Sequence, residues 1–526
     1  MKKFLLAFIK CILFLTLAGA VLFGLNYVLS MHDYLGVYTY QDFYDEDEET
    51  MDVIFYGSSR AFADVNPAVL WQERGITSYV LASSNQALWE TYHNIIETLK
   101  TQSPKVIAVE MYRCTETREY EESRVPEALF GMHFSKNKLD ALRASVSEDS
   151  FKDYLLQYSI YHSSYGELTE SDYRYIQPKY GAGFKGFTGY FGYESFDTLY
   201  DPQSETPEVS LSEKTEEYLR KILELAEESD TELLLFVSPY AGLTEEEKSC
   251  FNAAEKIAAE YGVTFVDFNE HRDEIGLDSS LDYAEMSHLS ATGTEKFSSY
   301  LADFLSEHYV LENHYGDERY ASWDLCLEDW ERMKANHALT CITDMNEYAK
   351  ALQDYDDRYV TVITMEGLNS LENEYLRGAL ASLGLYDPVI EMTAAELWDG
   401  REEVRLITDE GRVFTSEDGT KYVYEPADGG SWVLENGEPA VAVQGLGAYT
   451  EYFTFGNHTV KLYGTEILST DADGLSVPSV GRSMYIDETE GKSNNNGISF
   501  LVYDTYLDVL VDRVAFDTLY GYQCFR

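Results

Sequence analysis

Short apolar runs alternate with amphipathic stretches along residues 51–310. Each apolar run is long enough for one buried strand, and each amphipathic stretch has the spacing of a helix. Alternating strands and helices form a parallel sheet with helices on its faces. The pattern therefore predicts a three-layer α/β/α domain. The predicted strands are residues 53–56, 106–113, 233–238 and 264–267, and the predicted helices are residues 66–71, 90–101, 216–228, 245–261 and 291–305.

A tyrosine-rich tract interrupts this alternation between about residues 115 and 212. Tyrosine side chains stack on sugars and also pack in ordinary cores, and we favour packing in an insertion that walls a ligand cleft. Glycines within the tract predict a mobile loop, because glycine leaves the backbone free. These glycines are at positions 181, 183, 186 and 189, and the tyrosines include positions 154, 158, 161, 165, 173, 175, 180, 190, 193 and 200.

The N-terminal residues differ in kind from the rest of the chain. Lysines at positions 2, 3 and 10 flank an apolar stretch at residues 11–30, which is long enough for one transmembrane helix. An acidic linker at residues 31–50 follows it. This charge order predicts a single-pass cell-membrane protein with a cytoplasmic N-terminus and an extracellular bulk. A cleaved signal peptide with a small-residue site at residues 17–20 is the alternative.

A second domain is predicted at residues 339–526, after a mixed and aromatic connector at residues 311–338. Residues 344–353 are expected to form a helix, residues 359–365 a strand, and residues 371–383 a helix that ends at Gly384. Strands and turns dominate thereafter.

Acidic residues dominate the charge. The 526 residues include 93 acidic and 39 basic side chains, for a formal net charge of -54. That excess argues against nucleic acid as a partner, since phosphate binding requires clustered lysine and arginine. An anionic polymer would need a local cationic patch or bridging divalent ions. No Cys-x-x-Cys or His-x-x-x-His spacing predicts a metal site, and we expect no cofactor.

The six cysteines are too few for a disulfide scaffold. Cys341 and Cys524 bracket the C-terminal region, and an oxidising compartment would permit them to pair. We therefore expect a disulfide between these two residues.

The first predicted strand ends in the sequence Gly57-Ser58-Ser59-Arg60. Gly57 permits a sharp turn, and Ser59 would lie where the strand leads into a helix. Ligands in open α/β sheets bind outside the carboxyl ends of the strands, so the Ser59 hydroxyl is expected where substrates arrive. A Gly-Ser-Ser turn after a strand is also a common structural feature without any chemistry.

An acid-x-x-His motif, Glu-Met-Ser-His-Leu at residues 285–289, lies near the end of the α/β domain. A serine nucleophile needs a base to accept its proton and a third group to orient that base. His288 fits the first role, and Glu285 fits the second. Asp282 is the alternative orienting acid. Ser290 is expected to cap the following helix and thereby to fix the loop that carries His288.

Residues 51–308, through these two motifs, resemble the SGNH (GDSL-like) hydrolase superfamily, whose domain has a flavodoxin-like fold. The resemblance is greatest to the membrane-anchored branch that contains the D-alanyl-lipoteichoic acid biosynthesis protein and the alginate O-acetyltransferases. In that branch the serine motif often reads Gly-Ser-Ser, and the terminal motif reads Asp-x-x-His-Leu. The resemblance implies Ser59 as nucleophile and His288 as base. Glutamate replaces the usual aspartate here, which leaves the orienting acid open between Glu285 and Asp282.

Two middle blocks of that superfamily supply oxyanion donors, a glycine and an asparagine. Ser84 and Asn85 lie where the glycine block is expected, so the Ser84 backbone or the Asn85 side chain could donate. Arg60 is a further candidate for contact with the oxyanion or the substrate. Glu110 stands where an asparagine is expected, and an acid cannot stabilise an oxyanion unless it is protonated. We expect Glu110 to pair with Arg60 or Arg113 near the site.

The C-terminal segments 359–365, 456–462, 496–504 and 511–518 carry a second resemblance, which closes on Gly-Ile, a β run and Val-x-Phe-Asp-Thr. Residues 339–526 resemble the interleukin-like EMT inducer domain, a compact α+β fold with lectin-like members. The resemblance implies a carbohydrate-binding module. Its contact residues cannot be inferred, because binding loops vary while core strands do not.

Two functions from different classes compete. The first is a membrane-anchored extracellular serine esterase or O-acyltransferase, which acts on acyl groups of a cell-envelope or exported glycan through an acyl-Ser59 intermediate. The resemblance to the anchored branch implies a membrane-bound O-acyltransferase as partner. The second is a catalytically inactive surface protein that binds glycans. The missing oxyanion asparagine favours the second function, and the presence of Ser59 and His288 favours the first.

Overall fold

In the computed structural model the described residues divide into two compact units, the first up to residue 330 and the second from residue 331 onward. The described residues are 2–29, 34–157, 184–229, 231–354, 359–366, 412–415, 421–425, 430–431, 434–435, 438–439, 443–444, 449–455, 458–470, 476–487, 489–492, 497–517 and 523–526.

A parallel sheet forms the centre of the first unit. Its described strands are β1 (Val53–Gly57), β2 (Ser78–Ala82), β3 (Val106–Glu110), β4 (Glu232–Val237) and β5 (Thr264–Asp267). These five strands lie in the order β2-β1-β3-β4-β5, and all neighbouring pairs are parallel. This is the flavodoxin-like order, in which the direction of winding reverses between β1 and β3. Ligands bind at that reversal, outside the carboxyl ends of the strands.

Helices cover both faces of this sheet. Val53 and Phe55 of β1 pack on one face and Ile54 and Tyr56 on the other, which explains why the strand is a continuous apolar run. The sequence therefore correctly predicts an α/β domain with a parallel sheet. The described helices of this unit are α1 (Lys2–Leu29), α2 (Thr39–Asp45), α3 (Ser59–Asp64), α4 (Pro67–Arg74), α5 (Leu88–Thr98), α6 (Val125–Leu129), α7 (Lys136–Ser145), α8 (Phe151–Leu155), α9 (Glu213–Ser229), α10 (Glu245–Glu260), α11 (Arg272–Ile275) and α12 (Ala291–His308).

The prediction of a membrane anchor at residues 1–30 is contradicted. Within the part of the chain that the structure describes, no helix combines the length and apolarity that a bilayer crossing requires. The predicted single-pass localisation, with cytoplasmic N-terminus and extracellular bulk, rested on that anchor and is overturned with it.

Residues 34–45, within the predicted acidic linker, form a π-helical turn (Tyr34–Tyr38) followed by α2. Tyr40 and Phe43 are buried in the core of the first unit. The Tyr40 hydroxyl donates to Asn94 Oδ1 at 2.6 Å, and the Tyr79 hydroxyl donates to the Thr39 carbonyl at 2.7 Å. This part of the predicted linker therefore packs as core structure.

A segment of the tyrosine-rich tract, residues 184–196, crosses the first unit as a strap. Its backbone exchanges hydrogen bonds with β2, with α3 and with the residues around the acid-x-x-His motif. Gly186 has φ +85°, and a Cβ there would lie 1.8 Å from the Val80 carbonyl oxygen. At position 186, glycine is therefore required because the strap backbone lies close to the Val80 carbonyl. The glycine spacing in the sequence instead predicts a mobile loop here. Residues 158–183, with most of the predicted tyrosine insertion, lie outside the described residues.

The second unit is built mainly from antiparallel strands. In its described part, six strands form a sheet in the order β19-β18-β17-β6-β8-β7, in which only β6 and β8 pair in parallel, and β13 to β16 form an antiparallel sheet. The strands are β6 (Tyr359–Glu366), β7 (Arg412–Thr415), β8 (Lys421–Glu425), β9 (Gly430–Ser431), β10 (Leu434–Glu435), β11 (Glu438–Pro439), β12 (Val443–Gln444), β13 (Tyr449–Phe455), β14 (His458–Thr470), β15 (Ser476–Ile486), β16 (Thr489–Glu490), β17 (Gly497–Asp504), β18 (Val509–Asp517) and β19 (Cys524–Phe525).

One described helix begins at the end of the first unit, and another lies near the start of the second. The predicted connector contains α13 (Ala321–Thr340), and the predicted helix at residues 344–353 is present as α14 (Met345–Asp354). Tyr348 of α14 packs against Phe500 and Phe516 in the core of this unit. The predicted strand at residues 359–365 is confirmed as β6, and the predicted helix at residues 371–383 lies outside the described residues.

The predicted disulfide between Cys341 and Cys524 is wrong, since both cysteines are free. Each thiol has a different neighbour. Cys341 Sγ lies 3.5 Å from His337 Nε2, and Cys524 Sγ accepts a hydrogen bond from Arg526 at 3.2 Å.

Candidate active site

The turn after β1 places Ser59 at the carboxyl edge of the sheet. Gly57 has φ +148°, and a Cβ there would lie 2.7 Å from Glu110 Cβ, so glycine allows β1 and β3 to approach. Ser58 is the N-cap of α3, and its hydroxyl accepts from the Arg60 amide at 3.5 Å. Ser59 is the first residue of α3 and is half-buried. The chain therefore presents the Ser59 hydroxyl at the reversal point of the sheet.

His288 connects this hydroxyl to an acid. Its Nε2 lies 2.8 Å from Ser59 Oγ, and its Nδ1 forms a close hydrogen bond with Glu285 Oε1. The second carboxylate oxygen of Glu285 accepts from the Ser287 amide at 2.9 Å. With the Nδ1 proton on the side of Glu285, Nε2 is free to accept the Ser59 proton. The three side chains thus form the serine, base and acid arrangement of acyl-transfer enzymes.

The electrostatic environment favours the neutral form of His288. Burial lowers its pKa below the usual value of 6.5, against the opposing effect of the Glu285 carboxylate. The positive charge of Arg60 lowers the pKa further. A neutral imidazole near pH 7 is the form that can act as a base.

Asp282, the alternative orienting acid, has other partners. Its buried carboxylate forms an ion pair with Lys296 at 2.5 Å and accepts from the Asp278 amide at 2.7 Å. Its backbone carbonyl accepts from the Ser290 amide at 3.0 Å. Ser290 caps α12 as predicted, since its hydroxyl accepts from the Gly293 amide. Asp282 therefore stabilises the loop around His288, and Glu285 is the acid that contacts the imidazole.

Ser84 and Asn85 follow β2 and lie beside the serine turn. The Ser83 amide donates to the Gly57 carbonyl at 3.4 Å, which places this turn next to the end of β1. Asn85 adopts the left-handed conformation with φ +55°, which asparagine tolerates better than most residues. Its Oδ1 accepts from Arg113 at 3.5 Å, so Nδ2 is the Asn85 atom able to donate elsewhere.

Arg60 is buried behind the serine turn. Its side chain is only 3% exposed, and its guanidinium lies 3.9 Å from the Tyr112 ring centroid and 3.3 Å from the Tyr240 ring centroid. Nη1 has no hydrogen-bond partner among the described residues. This position gives Arg60 an electrostatic effect on the site, and it separates the guanidinium from solvent.

Glu110 contacts the residue that precedes Ser59. The Ser58 hydroxyl donates to Glu110 Oε2 at 3.0 Å, and the Tyr112 amide donates to Oε1 at 2.9 Å. Arg113, one of the two expected partners, instead pairs with Glu116 and Glu121. Burial raises the pKa of Glu110 to about 7, although the charge of Arg60 opposes this shift.

Sequence reasoning misses two neighbours of His288. Tyr190, from the strap, is 39% exposed, and its ring centroid lies 5.1 Å from that of His288. The Tyr190 carbonyl accepts from the Ala291 amide at 2.6 Å. Asp64 accepts from the amide of Leu289, the residue after His288. Tyr190 could not be distinguished in sequence from the many other tyrosines of its tract. Asp64 could have been noticed, because it is a single acid that follows the apolar residues Ala-Phe-Ala.

Comparison with known proteins finds matches among solved structures. No protein-family model and no curated protein matches the chain. One solved structure, of an inferred acylhydrolase from Bacteroides fragilis, is 10% identical with a TM-score of 0.27, and the match covers 53% of this chain and 99% of the other. A gut microbial diltiazem-metabolizing enzyme is 10% identical with a TM-score of 0.23, over 82% of this chain and 61% of that chain. At such scores neither similarity indicates an activity for this chain.

Proposed function

We propose that the first unit is a serine esterase or O-acyltransferase that works through an acyl-Ser59 intermediate. The observation that carries this proposal is the hydrogen-bonded chain from Ser59 through His288 to Glu285. Ser59 and His288 lie 229 positions apart in the sequence and meet at the carboxyl edge of a parallel sheet.

The proposed reaction has two steps. His288 Nε2 takes the Ser59 proton while Ser59 Oγ attacks the acyl carbonyl carbon. The same proton passes from His288 to the departing alcohol oxygen, and the acyl group remains on Ser59. In the second step, water or a sugar hydroxyl gives its proton to His288 and attacks the acyl carbonyl carbon. The bond between the acyl group and Ser59 Oγ then breaks, and His288 returns the proton to Ser59 Oγ. Hydrolysis and transfer differ only in which hydroxyl performs that attack.

Two groups are proposed as oxyanion donors. The Ser59 amide lies in the first turn of α3, where backbone donors have no partner inside the helix. Asn85 Nδ2 is the second, because the Asn85 turn lies beside the end of β1. The buried Glu110 carboxyl is assigned no such role, since it accepts from Ser58 and from the Tyr112 amide.

The resemblance to the SGNH hydrolases supports the same proposal. The serine turn follows the first strand and the acid-x-x-His motif precedes the last helix of the sheet domain, which is the motif order of that superfamily. Glutamate at residue 285 in place of aspartate is the main departure. Contact between Glu285 and His288 supports Glu285 as the orienting acid.

For the substrate we propose an acylated cell-envelope or exported glycan. The support is the resemblance of the second unit to lectin-like domains, with the predominantly antiparallel sheets described above. Transfer would require an acyl donor, and the resemblance implies a membrane-bound O-acyltransferase in that role. The high negative charge favours a neutral or cation-bridged glycan over a bare polyanion.

Intact mass of the full chain after treatment with a fluorophosphonate tests the catalytic proposal. We expect one adduct on the wild type and none on Ser59→Ala or His288→Ala, because only an activated serine reacts rapidly. Ser84→Ala is the matched control. It should retain the adduct, since the substitution removes neither the Ser59 amide nor Asn85 Nδ2. A folded wild type without an adduct would refute the enzyme proposal and favour the inactive glycan-binding protein.

A glycan array probed with full-length Ser59→Ala tests the binding proposal separately. The substitution prevents turnover, so a bound acylated glycan would remain on the array. Absence of binding to all glycans would refute a lectin-like role and leave the esterase proposal intact.

A further inference from the structure

Asp64 lies on the same short helix as Ser59. α3 begins with Ser59 and ends with Asp64, whose side chain is fully buried. Asp64 Oδ1 accepts a hydrogen bond from the Leu289 amide at 2.9 Å, and Leu289 directly follows His288. One helix therefore carries both the candidate nucleophile and an acceptor that holds the residue next to the base.

Contacts with α12 fix the end of α3. Thr294 Oγ1 donates to the Ala63 carbonyl at 3.1 Å, and Ser298 Oγ donates to the Asp64 carbonyl at 3.4 Å. These bonds attach α3 to the body of α12. The Asp64–Leu289 bond extends the attachment to the loop that carries His288, so that loop cannot move away from α3 without breaking it.

The Asp64 carboxyl is a buried hydrogen-bond acceptor whose surroundings favour its neutral form. Burial raises its pKa well above the usual range, although the Leu289 amide and the charge of Arg60 oppose the shift. Its Oδ2 has no hydrogen-bond partner among the described residues. Asparagine has the same shape and keeps one carbonyl oxygen, so it can replace Asp64 in this contact. Alanine would leave the Leu289 amide buried without an acceptor.

We propose that Asp64 is a positioning residue, which holds His288 within reach of Ser59 through the Leu289 backbone. The inference rests on the proposed acyl transfer at Ser59. Proton transfer requires hydrogen-bond contact between His288 Nε2 and the Ser59 hydroxyl. A displacement of about 1 Å at a catalytic group lowers a rate by about 100-fold. We therefore expect Asp64→Ala to lower kcat by about 10- to 100-fold with little change in KM.

Steady-state hydrolysis of p-nitrophenyl acetate by the full chain tests this, with rates expressed per fluorophosphonate-titrated site. That normalisation removes the effect of unfolded protein. Asp64→Asn should retain the wild-type kcat. The matched control is Asp52→Ala, which removes a carboxylate that contacts His314 at 2.7 Å before β1, at the opposite end of that strand from Ser59. Equal losses in Asp64→Ala and Asp64→Asn, or no loss in Asp64→Ala, would overturn the proposal.

Hydrogen exchange at the Leu289 amide provides a readout independent of activity. We expect exchange to accelerate about tenfold in Asp64→Ala and to be unchanged in Asp64→Asn, because only alanine removes the acceptor. A wild type that does not hydrolyse the ester would refute the proposed function, and exchange would still decide the role of Asp64. Unchanged exchange in a folded Asp64→Ala variant would show that Asp64 does not hold the His288 loop.

Discussion

The Ser58 hydroxyl donates a hydrogen bond to the buried carboxyl of Glu110, at 3.0 Å, one residue before the candidate nucleophile. Ser58 is also the N-cap of α3, so the same side chain links Glu110 to the start of the helix that carries Ser59. Burial raises the pKa of Glu110 to about 7. A group beside the site therefore changes its charge close to neutral pH.

The first prediction concerns Glu110→Gln and stability. The folded protein binds the Glu110 proton more tightly than the unfolded chain does, whose glutamate pKa is about 4.3. The resulting stabilisation is complete below about pH 4 and is lost as the pH rises through about 7. Between these limits we expect the free energy of unfolding of the wild type to fall by on the order of 3 kcal/mol. That of Glu110→Gln should not show this fall. Urea unfolding of both proteins at several pH values measures it, and equal pH dependence in the two would contradict it.

The second prediction concerns the pH dependence of activity. His288 must be neutral to accept the Ser59 proton, and burial lowers its pKa below 6.5. We expect kcat/KM for ester hydrolysis to be constant above that pKa and to fall tenfold per pH unit below it. The pH profile of fluorophosphonate labelling should show the same acidic limb. Rates that stay constant down to about pH 4 would exclude a histidine base.

The third prediction separates the two acids of the His288 loop. Glu285→Gln removes the carboxylate that orients the imidazole, and we expect kcat/KM to fall by about 100-fold or more with little change in stability. Asp282→Asn removes the charge of a buried carboxylate that pairs with the partly exposed Lys296, and it should lower the free energy of unfolding by about 1–3 kcal/mol. Its kcat/KM per titrated site should fall much less. The reverse ranking of activities would assign the orienting role to Asp282.

The fourth prediction concerns Gly186→Ala in the strap. An alanine Cβ would lie 1.8 Å from the Val80 carbonyl oxygen, and the residue has a positive φ of +85°. We expect a loss of about 1–3 kcal/mol in the free energy of unfolding and faster proteolysis within residues 184–196. Gly276→Ala is the matched control, since its φ is +76° but nothing lies within 4 Å of its Cβ position. Similar losses in both variants would show that strain, and not contact, limits Gly186.

Local sequence signals predict the first unit well. Its strands are continuous apolar runs because both faces of a parallel sheet are buried. The Ser290 cap of α12 and the start of α4 at Asn66-Pro67 are also predictable from the sequence. Helix capping depends on neighbouring residues alone. The contact between Ser59 and His288 follows from the order of the motifs, since the carboxyl ends of parallel strands share one edge.

Nonlocal packing limits the rest of the prediction. Glu285 and Asp282 are both near His288 in sequence, and only the folded loop determines which carboxylate faces the imidazole. Arg60 stands beside the nucleophile in sequence, but it is enclosed by Tyr112 and Tyr240, which follow different strands. Such enclosure depends on strand order, which no single motif determines.

The strap has a further consequence at the edge of the sheet. β2 is a terminal strand, and its Val80 amide donates to the Lys185 carbonyl at 2.8 Å. An unpaired edge strand can recruit a strand from a second molecule and so begin aggregation. The Lys185 carbonyl already occupies that donor, so the strap makes this edge of the sheet less able to pair with a strand of a second molecule.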